Sequence, residues 1–141
     1  MSHKVLLDAK THPARDAAIN SIEAVESGDR ERWLSMWDDN GCIEDPVGPS
    51  PMDEEGKGHR GIEAITAFWD NFIGPQTVRF HIRHTMAAGS ECCNVGTITT
   101  RGADGTVGRT ELVMIYKIND EGKVVSLRAF WEFDDMIADM F

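Results

Sequence analysis

A chain of 141 residues, 41% hydrophobic and 27% charged, fits one domain that buries a core without metals or disulfides. Its formal net charge of −10 argues against nucleic acid, whose phosphates need clustered Lys and Arg, and against an anionic membrane surface. Three cysteines, Cys42, Cys92 and Cys93, form neither a disulfide framework nor a C-x-x-C metal motif, and no stretch approaches transmembrane length, so a reduced cytoplasm is the expected setting.

Residues 1–12 read as a disordered or weakly ordered arm, and residues 13–141 as the single domain. Ala18, Ile19, Ile22 and Val25 fall on one stripe of a helix that opens at Pro13 and closes at Gly28. Asp29 then caps a second short helix bearing Trp33, Leu34 and Trp37. Asp38-Asp39-Asn40-Gly41 has turn composition, and Cys42-Ile43 begins a short strand. Pro46 cannot continue a ladder, so the strand stops and leaves Asp45 at its mouth.

Residues 46–60 hold three prolines and three glycines, a long loop of the kind that covers a site. A third helix is predicted from Ile62 to Ile73, with Ile62, Ile65, Trp69 and Phe72 on one face and Gly74-Pro75 ending it. Four β-rich segments follow: 77–86, 92–101, 107–118 and 123–133, separated by turn signals. Three N-terminal helices packed on a curved antiparallel sheet give an α+β fold. On a strand Cys92 and Cys93 point to opposite faces, so one is core and the other exposed.

Glu44-Asp45-Pro46-Val47-Gly48, Gly61 to Trp69, and Gly122 to Ala129 together resemble the ketosteroid isomerase-like (SnoaL-like) branch of the NTF2-like superfamily, also called cystatin-like. The resemblance implies an NTF2-like cone around an apolar pocket, no cofactor and no metal, and a homodimer formed through the outer sheet face. It implies that Asp45 is a base moving a proton on a small hydrophobic substrate: steroid-like, polyketide-like or aromatic. In this family a tyrosine on the first helix and a protonated aspartate on a late strand hold the enolate oxygen, an arrangement that is a standard worked case. Those positions fall here on Ser21 and Met114. Loss of both donors would cost roughly 5–8 kcal/mol of transition-state stabilisation, so other donors substitute or the reaction differs.

Two side chains offer themselves as catalytic partners. Tyr116, the only tyrosine, lies two residues after Met114 and shares its strand face. His84 shares a face with Phe80 and Ile82. Trp69, Met114, Trp131, Ser21, Phe80 and Leu112 are expected to line the substrate pocket. Three functions stay open: double-bond isomerisation, elimination by a lyase or dehydratase, and a non-catalytic binding module in which Asp45 is solvated.

Overall fold

Local capping chemistry sets the helix ends. The computed structural model describes residues 3–134. Helix α2 (Pro13–Ser27) begins at His12, whose Nδ1 accepts from the Ala14 N–H at 3.1 Å, and closes on Gly28 at φ 70°. Asp29 caps α3 (Arg30–Ser35) by accepting from the Arg32 N–H at 3.2 Å. The segment expected as an arm differs from the prediction. Residues Lys4–Asp8 form α1, and Leu6 is 1% exposed. Leu6 inserts into the core and the His3–Glu26 contact at 2.6 Å holds the start of the segment to α2, which the sparse apolar pattern of residues 1–12 does not display.

Six strands make one sheet in the order β2-β1-β6-β5-β4-β3. They are β1 (Trp37–Glu44), β2 (His59–Arg60), β3 (Thr77–Ala88), β4 (Glu91–Arg101), β5 (Val107–Ile118) and β6 (Val124–Phe130). All neighbours are antiparallel except β1 and β6, which run parallel. The Asp38–Gly41 cluster, expected as a turn before a short strand, lies inside β1. The register against β6 jumps from Trp37↔Val124 to Cys42↔Ser126, and this irregularity absorbs the extra residues. Trp37 therefore opens the strand and does not belong to α3.

The predicted third helix is α4 (Ile62–Phe68) continued by a π-helical turn over Trp69–Ile73. The Gly74 N–H bonds to the Trp69 carbonyl at 2.7 Å, closing the wider turn. Helix α2 packs across β3, β4 and β5, while α4 packs against β1 and β2. Both cover the face that presents Leu112, Met114, Tyr116, Leu127 and Ala129, all buried. Cys92 is on this face and Cys93 on the other, as alternation requires. Among the described residues no helix is long and apolar enough to cross a membrane.

Candidate active site

Between the helices and the concave face of the sheet lies a cavity of about 190 Å³. Its walls are mostly apolar, with Ser21, Gln76, Thr100 and Tyr116 as polar members, and Asp45 supplies the one carboxylate among the lining residues. Position follows from the end of β1. Glu44 pairs with Arg128 of β6, and the Val47 N–H bonds to the Ala129 carbonyl at 2.9 Å, so the backbone on both sides of Asp45 is fixed to β6. The intervening Asp45–Pro46 peptide is cis.

Trp131, just beyond β6, donates its indole N–H to Asp45 Oδ1 at 2.6 Å. Three influences act on the carboxyl. Burial pushes it above its ordinary range; the Trp131 bond and the nearby His59 pull it back down without cancelling the rise. His59 sits against the same wall, its ring 4.8 Å from that of Phe68. Asp45 is half-buried, and a carboxylate held this way is more basic than one in water.

Tyr116 lines the cavity from β5 and is buried. Its hydroxyl lies 2.8 Å from Ser21 Oγ, which also receives the Trp33 indole N–H at 3.1 Å. Burial raises the Tyr116 hydroxyl well above its ordinary value; the Ser21 bond opposes this, and the negative charge of Asp45 adds to it. The carboxylate and the phenol thus sense one another across the same cavity. Ser21, Phe80, Leu112, Met114 and Trp131 also line it.

Two predicted site residues stand elsewhere. His84 is exposed on the outer face. The ladder of β3 and β4 slips between Ile82↔Gly96 and His84↔Val95, so Arg83 is an extra residue and every later side chain changes face. Thr85 takes the inward place and accepts from Arg15 Nε at 3.1 Å. A sequence signal for the slip exists in Gly96. A Cβ there would sit 2.1 Å from the His81 carbonyl oxygen, a close approach that isolated strand glycines often mark. Trp69 is the second case. It keeps the face of Ile65, one helical turn earlier, and both are buried away from the cavity: Trp69 packs tilted against Trp33 with ring centroids 5.2 Å apart, while Phe68, Phe72 and Ile73 line the cavity.

Other lining residues were not foreseen. Met52 comes from the long loop, which is pinned by the reciprocal Ser50–Asp53 backbone bonds and by Asp53 Oδ2 accepting from the Gly58 N–H at 2.8 Å. Loop composition carries no periodicity that could have pointed to Met52. Thr100 and Ile98, by contrast, share the alternation of β4 and were legible. Among the described residues no group of three or more His, Cys, Asp and Glu side chains gathers as a metal site.

A curved sheet closed by helices over a mostly apolar hollow, with one half-buried carboxylate in its wall, is the NTF2-like architecture. The chain belongs to the SnoaL-like domain family, which matches residues 18–127. Among solved structures it is similar to a Δ5-3-ketosteroid isomerase from Mycobacterium sp., at 34% identity and TM-score 0.85 over 89% of this chain and 98% of that one. A Mycobacterium tuberculosis protein in complex with estradiol-17beta-hemisuccinate is 28% identical, with TM-score 0.83 over 88% of this chain and 97% of that one. A computationally designed 17-OHP binder is 27% identical, with TM-score 0.84 over 88% of this chain and 96% of that one.

Proposed function

We propose that this protein is a cofactor-independent acid/base enzyme in which Asp45 moves a proton on a small hydrophobic substrate and Tyr116 serves as the acid facing it. The observation that carries this reading is the Asp45 carboxylate itself, set in the wall of an apolar cavity and bonded to Trp131 Nε1 at 2.6 Å. A solvated turn residue would have neither the cavity nor the donor. The Mycobacterium sp. ketosteroid isomerase and the steroid-bound M. tuberculosis protein support a rigid, ring-containing substrate.

For such a substrate carrying a C=C one carbon removed from its carbonyl, Asp45 takes a proton from the carbon between the two. The C–H electrons form a new C=C to the carbonyl carbon, and the carbonyl π electrons move onto oxygen, where the Tyr116 O–H donates a hydrogen bond to the resulting dienolate. As the C=O re-forms, the dienolate electrons shift the double bond into conjugation and its far carbon takes the proton back from the Asp45 carboxyl, which regenerates the base. Positioned proton transfer supplies roughly 10²- to 10⁴-fold. Met114 donates nothing, so one donor replaces the family's two, a deficit of about 2.7–4 kcal/mol. The same base serves elimination from a hydroxylated substrate: Asp45 takes the C–H proton, those electrons form the C=C, and the C–O bond breaks with the hydroxyl leaving as water on a proton supplied by an acid such as Tyr116.

Asp45→Asn keeps the size of the side chain and an oxygen for the Trp131 N–H, but it cannot accept the proton. Assayed on a panel of enones and aryl alcohols, this variant is expected to bind ligand and fail to turn over. Full activity would remove Asp45 from the chemistry and leave a binding module. The quaternary reading is a homodimer through the outer sheet face, where Val95, Val113 and Ile115 lie between the exposed Met86 and Phe130.

A further inference from the structure

Three buried side chains from three elements meet at the cavity: Trp33 of α3, Ser21 of α2 and Tyr116 of β5. An indole N–H can only donate, so the hydrogen between Trp33 Nε1 and Ser21 Oγ belongs to Trp33. Ser21 and Tyr116 each carry one hydroxyl hydrogen, and one of the two occupies the 2.8 Å gap between their oxygens. Among the described residues Ser21 Oγ has no third hydrogen-bonding partner, and Tyr116 Oη has none besides Ser21. One hydrogen is therefore left over, for whatever acceptor enters the cavity. If Tyr116 donates to Ser21, the spare hydrogen is an aliphatic hydroxyl's. If Ser21 donates to Tyr116, it is a phenol's. The phenol is the stronger acid and so the stronger donor, and bonds arriving from behind polarise it further.

We propose that Trp33 and Ser21 are positioning residues that run their hydrogens towards Tyr116, so that its O–H is given to an acceptor oxygen of the substrate. This rests on the reading of Tyr116 as the acid facing Asp45. Ser21 occupies the helix position where the family resemblance implies a tyrosine. Here the phenol arrives from β5 instead, and the helix residue directs it. The relay is local to this chain because it needs Ser21, Trp33 and Tyr116 together.

The test is ligand preference, which pocket integrity alone does not set. 2-Acetylnaphthalene and 2-ethylnaphthalene share an apolar body, and only the ketone accepts a hydrogen bond. The wild type is expected to prefer the ketone, Tyr116→Phe to lose the preference, and Ser21→Ala to reduce it roughly 2- to 10-fold, the worth of one net hydrogen bond. Affinity for the hydrocarbon should hold in both variants, and Ser21→Thr, which keeps a hydroxyl, should restore the preference. The proposal is overturned if the wild type shows no preference. It is also overturned if Ser21→Ala retains the full preference, or if Ser21→Ala loses more than Tyr116→Phe, which would make Ser21 the donor. An Asp45→Asn variant separates this from the catalytic reading. If it turns over normally while the ketone preference survives, the Asp45 mechanism fails and the relay stands.

Discussion

Trp131→Phe isolates the contact that sets the basicity of Asp45. The bond runs from a neutral indole N–H to a carboxylate at 2.6 Å, and it is stronger with the charged form than with the acid. Hydrogen bonds to charged groups contribute about 1.5–3 kcal/mol, and because the acid form keeps only a weaker bond, loss of Trp131 disfavours the carboxylate and lowers the acid dissociation constant of Asp45. The sign is fixed by the structure. Burial already raises the carboxyl and Trp131 opposes it, so removing Trp131 lets it rise further. Phenylalanine keeps a ring beside Phe133, now 5.8 Å from that of Trp131, which limits the packing loss. Carbon-13 titration of the Asp45 carboxyl reads the effect without a substrate. The acid limb of the kcat/KM profile reads it in the free enzyme. Both should move to higher pH. A titration that stays in place or moves down would refute the assignment of Trp131 as the group that keeps Asp45 ionised.

Three further outcomes follow from the same coordinates. Because the folded protein holds the Asp45 proton above the ordinary carboxyl value of 3.8, folding takes up a proton between that value and the raised one. Stability from this group is thus lost as pH rises through that window, and Asp45→Asn should gain stability over the wild type across it, measured by urea midpoints from pH 3 upwards. Gly96→Ala should cost roughly 3 kcal/mol by the same measurement, since its Cβ would meet the His81 carbonyl oxygen at 2.1 Å; an unchanged midpoint would deny the close approach at the bulge. Val113→Glu, placed in the middle of the outer face, should convert a sedimenting dimer to monomer without changing the fold, and an unaltered sedimentation coefficient would exclude that face.

Local chemistry was enough to place much of this protein. The 3.6 period and the caps at Pro13, Gly28 and Asp29 located two helices, and the period-two alternation of β5 put Leu112, Met114 and Tyr116 on one face. Those patterns act over a few residues, and sequence displays them directly. Whatever depended on counting residues across an irregularity went astray. One extra residue at Arg83 sent His84 to solvent, and the irregularity in β1 absorbed what reads as a turn; Trp69, on a helix face that periodicity located, is turned to Trp33 and not to the cavity.

The chemistry of the site lies on the other side of that division. Sequence located Asp45, but its raised basicity comes from the burial that the closed sheet imposes, and the group that restrains it, Trp131, lies 86 positions away. Ser21 and Tyr116 are separated by 95 positions and meet only because α2 lies across β5. Hydrogen bonds and desolvation depend on distance in space, and chain order does not encode that distance until the sheet has curled and the helices have covered it.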